Sequence, residues 1–365
     1  MKTKRVPISN VKPGMMLAED VYNTSDQLVL NKGTELTDRS ITRLKFYSIR
    51  EVVISIEAPA SEGSQDATAP ENINTYTKRL KKSADYKVFA TSFKDTVNVL
   101  EARLKSFVES KNDLNADELL GSTKKTFFSV ESTGKIFDML MCIRNLDDLT
   151  FVHSTNVSLI CGAFGQWLGY NGKDIDQLML AGLLHDIGKL MVPESILKKK
   201  GALTKDEYEI IKGHPKAGYD MLKNQNLDDK VALVALQHHE RTDGSGYPSG
   251  LKSHHIEDFS KIVAIADVYD AMTAARCYRG PICPLEVLNM FETEGLTKYD
   301  PKFLLVFMDH VVSTYLHQYV LLSNGNVGEI VMINKHSPAR PIIKLLSSEC
   351  VDLSKVTGTT IVGLV

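Results

Sequence analysis

The sequence predicts a mainly α-helical protein, with a central helical bundle flanked by a small N-terminal α/β module and a small C-terminal β module. Three observations carry that expectation. Between about 75 and 318, long stretches such as "DTVNVLEARLKSFV" and "KIVAIADVYDAMTA" repeat apolar residues at helical spacing. Short β-like runs lie on both sides of that region. Residues 58–74, "APASEGSQDATAPENIN", have no periodic apolar positions and read as a flexible linker.

Within residues 1–57, "MMLAEDVY", "QLVL" and "EVVISIE" read as strands, with a turn at Asn31-Lys32-Gly33. The stretch "LTDRSITRLKFY" reads as a helix with Thr37 as N-cap, its hydroxyl accepting from amides of the first turn. From 75 to 318 the helical segments also include "GKIFDMLMCI", "VSLICGAFGQWLG", "DQLMLAGLLHDIGKLM" and "KVALVALQHHE"; so many amphipathic segments in succession are best buried as a bundle. Residues 319–365 revert to strands: "QYVLLS", the turn "NGN", "GEIVMI", "PIIKLL" and "TTIVGLV".

The chain has 365 residues, enough for more than one domain. Lys and Arg number 43 against 45 Asp and Glu, a formal charge of −2, which argues against broad binding to polymeric nucleic acid. The five cysteines, Cys142, Cys161, Cys277, Cys283 and Cys350, show no CxxC pairing and read as reduced thiols of a cytoplasmic protein. The start "MKTKRVPISN" is followed by no apolar signal region, and no stretch reaches the ~18 apolar residues of a membrane span.

Five of the ten histidines fall in a suggestive order: His153, His185 beside Asp186, His214, then His238 and His239, with Asp267 following. Each lies on or beside a separate predicted helix, and a bundle can aim such side chains at one centre. Imidazole and carboxylate without thiolate suit Fe, Mn, Zn, Co or Ni. Seven ligands are too many for one ion. Shared between two ions roughly 3.5–4 Å apart, with Asp186 bridging, they leave open positions for water and a phosphate oxygen, the needs of phosphoester hydrolysis. On a continuing helix, Lys189 shares a face with His185 and Asp186, where its ammonium can meet a phosphate oxygen; alone, it would read as solvated.

Arg276 and Arg279 carry forks suited to phosphates or guanine edges, or else form a basic pair at a helix end. In a regular helix Arg276 faces about half a turn from Asp267, by ~100° per residue. Both serve one site only if the helix ends or bends first, and Gly280 and Pro281 favour an end nearby.

In "HHERTDGSGYP", residues 238–248, the glycines permit close backbone approach and Pro248 stiffens the exit, although "DGSG" alone would be a surface turn. Glu240 and Asp243 either orient the imidazoles or fix the loop. His254, His255, His310, His317 and His336 read as surface or packing residues, Trp167 as a packed helix residue and "KKK" at 198–200 as a solvated helix end.

Over about 135–310, "HDIGK", "KGHPKAG", "HHERTDGSGYP" and "ADVYDAMTAARCYR" occur in the order of the HD-GYP family, HD-superfamily metallohydrolases that degrade cyclic di-GMP, and the chain resembles that family. The flanking "VKPGMMLAEDVY" and "VLLSNGNVGEIVMIN" resemble segments often attached to such domains. The resemblance implies an HD-type bundle. It also implies metal ligation by His153, His185, Asp186, His214, His238, His239 and Asp267, and phosphate contacts from Lys189, Arg276 and Arg279. Gly244, Gly246, Tyr247 and Pro248 match the signature loop, with Gly246 and Tyr247 walling the substrate cleft. Leu149 stands where family members that look trinuclear carry a Glu, so two metals are expected, Fe or Mn favoured; Asp147 and Asp148 leave a third open.

The function implied is hydrolysis of cyclic di-GMP to pGpG, GMP or both by a metal-activated hydroxide, with Asp186 and Lys189 catalytic. Cyclic GMP-AMP stays open as substrate because no base-reading residue is identifiable. Two alternatives stand beside it: another nucleotide phosphohydrolase of the HD superfamily, and a dinucleotide sensor or scaffold with little turnover. The terminal modules are candidates for regulation, homodimerisation or binding a signalling partner.

Overall fold

A computed structural model of the chain describes residues 3–8, 11–22, 28–30, 32–37, 40–41, 44, 49, 51–55, 74–110, 113–143, 149–199, 201, 203–274 and 282–365. It divides into two compact units, one built on the N-terminal residues with 195–208, the other on the helices and the C-terminal strands. The linker expected at 58–74 lies outside the described residues except for Asn74, which starts a helix.

The N-terminal unit pairs β1 (Thr3–Pro7) antiparallel with β4 (Glu51–Ser55), and β2 (Val21–Tyr22) with β3 (Leu28–Leu30). Val6, Leu17, Val21, Leu36, Leu44 and Ile54 close its small core. Thr37 caps as expected: its hydroxyl accepts from the Ser40 amide at 3.2 Å, and the Ser40 hydroxyl returns a bond from the Thr37 amide at 2.6 Å. Strand β1 is not evident in the sequence, because "TKRVP" is charged and ends in proline, traits of an edge strand.

The larger unit begins with α1 (Asn74–Lys82), α2 (Ala84–Ser110), α3 (Ala116–Phe127) and α4 (Thr133–Ile143). Two central helices follow, α5 (Leu149–Trp167) and α6 (Gly172–Leu184), then a 3-10 turn at Ile187–Met191. Next in the chain come α7 (Glu194–Leu197) and α8 (Lys205–Lys212), whose residues 195–208 belong to the first unit, then α9 (His214–Leu222), α10 (Asp229–Gln237) and α11 (Asp258–Thr273). The last helices are α12 (Pro284–Met290), α13 (Leu296–Lys298) after a π-helical turn at Phe291–Gly295, and α14 (Pro301–Ser313). Side-chain oxygens start several of them: Asn171 accepts from the Asp174 amide at 3.0 Å, Asp228 from Lys230 at 3.0 Å and Asp300 from Lys302 at 3.1 Å.

Helix α5 packs along α6 and against α11, while α10 joins α6 to α9, and the 3-10 turn lies on α9. Behind the site, Phe137, Trp167, Tyr269 and Phe307 form one aromatic core, with Phe137 and Trp167 stacked at 5.4 Å. Trp167 also donates to the Thr133 hydroxyl at 3.0 Å and stacks on His310, so it is a packing residue, as its sequence suggested. His254, His255, His317 and His336 are exposed.

Two helix ends differ from the periodic reading, and a third agrees with it. The apolar rhythm of "LMLAGLLHDIGKLM" suggested one helix, yet α6 stops at Leu184 and the chain tightens into the 3-10 turn. Helix α10 stops at Gln237, leaving His238 and His239 in the turn after it. Helix α11 stops at Thr273, with Ala274 extended at φ −77° and ψ 149°, which meets the requirement for an end before Arg276.

The C-terminal strands β5 (Tyr319–Leu322), β6 (Val327–Met332), β7 (Ile342–Leu345), β8 (Cys350–Asp352) and β9 (Ile361–Leu364) form one antiparallel sheet in the order β8-β7-β6-β5-β9. The expected "NGN" turn joins β5 to β6, with Gly325 at φ +85°. No described helix is long and apolar enough to cross a membrane. Cys142, Cys161, Cys283 and Cys350 form no disulfide with one another, and Cys277 lies outside the described residues.

Candidate metal centre

Five helix ends and faces converge on Asp186. His153 comes from the second turn of α5, His185 and Asp186 from the end of α6, His214 from the start of α9, His238 and His239 from the end of α10, and Asp267 from α11. His185, His238 and His214 are almost completely buried, as is Asp186. Two groups of donor atoms form, His153, His185 and Asp186 in one, Asp186, His214, His238 and His239 in the other. Asp186 belongs to both.

Local backbone geometry sets the imidazole tautomers. His185 Nδ1 donates to the Gly182 carbonyl at 2.8 Å, His214 Nδ1 to Ile211 at 2.7 Å, and His238 Nδ1 to Val234 and Ala235 at 3.1 Å. A carbonyl oxygen only accepts, so each Nδ1 carries the proton and each Nε2 presents a lone pair. Those lone pairs point into the cluster. His214 Nε2 and His238 Nε2 lie 3.2 Å apart, His214 Nε2 lies 3.2 Å from Asp186 Oδ1, and His185 Nε2 lies 3.3 Å from Asp186 Oδ2. Neither Nε2 of the His214–His238 pair has a proton to give, so their approach is a meeting of lone pairs rather than a hydrogen bond.

Buried His185 Nε2 and Asp186 Oδ1 have no hydrogen-bond partner. Orphaned acceptors converging in a buried site are costly unless something positive lies between them. The donor set, imidazole and carboxylate without sulfur, therefore fits divalent cations of the Fe, Mn or Zn type.

His153 is held differently. Its Nδ1 donates to Asp270 Oδ2 at 2.7 Å and its Nε2 to Asp267 Oδ1 at 3.0 Å, while Asn156 Nδ2 braces Asp270 Oδ1 at 2.9 Å. Burial pulls the imidazolium down, but the bonds and charges of the two carboxylates outweigh it and raise its pKa to about 9. His238 is pushed down to about 4 by burial, against the nearby Asp186 carboxylate, and His239 is pushed down by burial and the neighbouring His238. Asp186 is held well below the carboxylate range despite burial, first by the Lys189 ammonium and then by His185 and His214.

Lys189 meets Asp186 through the 3-10 turn rather than along an α-helix: its amide bonds the Asp186 carbonyl at 2.9 Å and its Nζ sits 2.5 Å from Oδ2. Gly188 makes the turn's position possible. A Cβ there would overlap the His214 carbonyl oxygen and fall 2.6 Å from the Gly218 amide nitrogen. The turn carrying Asp186 and Lys189 thus presses directly on the helix carrying His214.

The signature loop is fixed from within. Glu240 is buried and accepts from the Ser249 amide at 2.7 Å and the Leu251 amide at 2.8 Å, while Asp243 accepts from the Ser245 amide at 2.9 Å. Both acids fix the loop, which decides between the two roles open to them. A Cβ on Gly246 would come 2.5 Å from Glu240 Cα and from the His239 carbonyl oxygen, so only glycine lets the loop fold back on the ligand pair. Tyr247 then lies against His239, ring centres 4.7 Å apart.

The seven expected ligands and Lys189 are brought together, and Gly246 and Tyr247 line the same cluster. Arg276, Arg279, Asp147 and Asp148 lie outside the described residues, as does the side chain of Leu149. Asp270, on the helix face that Asp267 begins, and Asn156 were given no site role by the sequence reading. The available signal was spacing: each lies three residues beyond a ligand on the same helix, Asp267 and His153 respectively.

A family model described as "HD domain" matches residues 138–303. A cyclic di-GMP phosphodiesterase of Pseudomonas aeruginosa is 34% identical over 211 residues, 57% of this chain and 50% of that protein. A cyclic di-GMP phosphodiesterase of Thermotoga maritima is 33% identical over 233 residues, 59% of this chain and 63% of that one. A 3'3'-cGAMP-specific phosphodiesterase of Vibrio cholerae is 42% identical over 164 residues, 44% of this chain and 38% of that one. The chain thus spans between about a third and two thirds of these relatives. Among solved structures, a HDG"Y"P protein from Bdellovibrio bacteriovorus matches with TM-score 0.52 at 19% identity, over 84% of this chain and 98% of that one, a likeness of fold.

Proposed function

We propose that the chain, whose residues 138–303 match the HD domain family, is an HD-GYP-type metal-dependent phosphodiesterase hydrolysing cyclic di-GMP to pGpG, GMP or both. The observation that carries this reading is the convergence of three Nε2 lone pairs and an orphaned carboxylate oxygen around Asp186. His153, His185, Asp186, His214, His238, His239 and Asp267 would hold two divalent ions, Fe or Mn favoured, with Asp186 shared between them. When bound, such ions supply Lewis acidity and acidify coordinated water, the chemistry that phosphodiester cleavage needs.

The protein's own groups prepare the site. Asp270, braced by Asn156, orients His153 through Nδ1, leaving its Nε2 as the ligating atom once its proton is lost. The backbone carbonyls before His185, His214 and His238 fix those rings with Nε2 inward. Lys189 holds positive charge beside Asp186, where it can meet a bound phosphate. Arg276 and Arg279 are assigned contacts to the phosphate at the metal centre, and Gly246 with Tyr247 the wall of the cleft. We take the protein to act in the cytoplasm, on the reading of its five cysteines, whose spacing forms no CxxC or even framework.

Chromatography of reactions with cyclic di-GMP and with 3'3'-cyclic GMP-AMP, using protein purified anaerobically, tests this reading. Conversion of cyclic di-GMP to pGpG or GMP is the expected result. A second reading, cyclic GMP-AMP as the preferred substrate, draws on the similarity to the Vibrio cholerae relative. Tight dinucleotide binding with no product from either substrate would replace catalysis by sensing.

A further inference from the structure

A cyclic dinucleotide carries two phosphodiester anions, but the metal-binding cluster engages one. Lys189 is committed to that centre by its 2.5 Å contact with Asp186. The second anion needs a counter-charge elsewhere, at a distance that the ligand's ring allows.

Lys212, the last residue of α8, stands in that place. Its Nζ lies 5.7 Å from the ring centre of Tyr247, and Tyr247 in turn lies 4.7 Å from the ring centre of His239. The ammonium is therefore beside the ring that packs on His239, and its side chain remains partly accessible, 31% exposed. One carboxylate partner is Glu209, at 3.1 Å and 3.2 Å, and that side chain is 67% exposed. An ion pair that open to water is weak and readily exchanged for a phosphate. The aromatic face of Tyr247 keeps the ammonium near the cleft meanwhile.

Building on the phosphodiesterase reading, we propose that Lys212 is a substrate-binding residue that neutralises the second, uncleaved phosphate of the cyclic dinucleotide. It thereby favours substrates with two phosphates over simple diesters. The loss of Lys212 falls on KM for the dinucleotide, because the uncleaved phosphate carries the same charge in ground and transition states.

The test compares cyclic di-GMP with bis(p-nitrophenyl) phosphate, a diester with a single phosphate, in the metal-loaded full chain, for wild type, Lys212→Met and Lys212→Arg. Binding of a phosphorothioate analogue of cyclic di-GMP is measured by calorimetry alongside. Methionine keeps the apolar stem and removes the charge. The selectivity for cyclic di-GMP over the simple diester, as a ratio of kcat/KM, is expected to fall about tenfold in Lys212→Met, with weaker analogue binding and recovery in Lys212→Arg. An unchanged ratio and unchanged analogue affinity in Lys212→Met, with the wild type active on cyclic di-GMP, would overturn this inference alone. A wild type that cleaves the simple diester but neither cleaves cyclic di-GMP nor binds its analogue would overturn the phosphodiesterase assignment and this inference with it.

Discussion

Replacing Gly188 by alanine tests how tightly the 3-10 turn is built against the His214 helix. The glycine backbone is not in the left-handed region, so the cost is steric. The added Cβ overlaps the His214 carbonyl oxygen and lies 2.6 Å from Gly218 N and 2.9 Å from His214 C. Contact distances begin near ~3.5 Å, so the turn must retreat by about 1 Å from backbone atoms that cannot rotate away. That movement separates Asp186 from His214, now 3.2 Å apart, and draws Lys189 with it. Overpacking of this kind costs about 1–3 kcal/mol in stability. A displacement near 1 Å at reacting groups costs about 100-fold in rate. Denaturant titration, metal analysis and turnover of Gly188→Ala are the assays. Wild-type stability together with wild-type metal content and turnover would refute the claim that this contact sets the site.

Three further outcomes are expected. His153, raised to about 9, adds stability to the metal-free chain that is complete below the ordinary histidine value of ~6.5 and is lost as pH rises through 9. Metal uptake should follow the opposite trend, strengthening across the same window with proton release, since the ion takes the Nε2 position; calorimetry in buffers of different ionisation enthalpy reads both. Glu240→Gln leaves one acceptor where the Ser249 and Leu251 amides now have two, so hydrogen exchange at those amides should accelerate severalfold; unchanged protection would contradict the loop-fixing role. Asp270→Asn puts an amide where Asn156 donates and His153 needs an acceptor, so metal affinity measured by chelator competition at pH 9.5 should fall about 10-fold or more; equal affinity would deny Asp270 its orienting role.

The candidate ligands stood out because metal chemistry restricts residue type: seven His and Asp side chains on or beside five helices form a pattern that packing alone does not require. The bundle was legible from its 3.6-residue rhythm. That same rhythm concealed the helix ends after Leu184 and Gln237, because apolar residues continue through the 3-10 turn and only tertiary contact with α9 sets its path. Gly188 could be quoted in "HDIGK", but its reason, the His214 carbonyl 26 residues away in the chain, is non-local. Asp270 and Asn156 were given no role since each also reads as an ordinary polar residue of a helix, and their bond spans 114 residues. The short strands β1 and β8 are set by their partners more than by their own composition.

The central claim is that Asp186 joins two metal-binding groups into one catalytic centre. Its most direct test is elemental analysis and cyclic di-GMP turnover on the same anaerobic preparations of wild type and Asp186→Asn, with circular dichroism to show that both are folded. The account predicts about two divalent ions per wild-type chain with turnover, and loss of metal and turnover together in the variant. A folded Asp186→Asn protein that keeps both ions and wild-type turnover would contradict it.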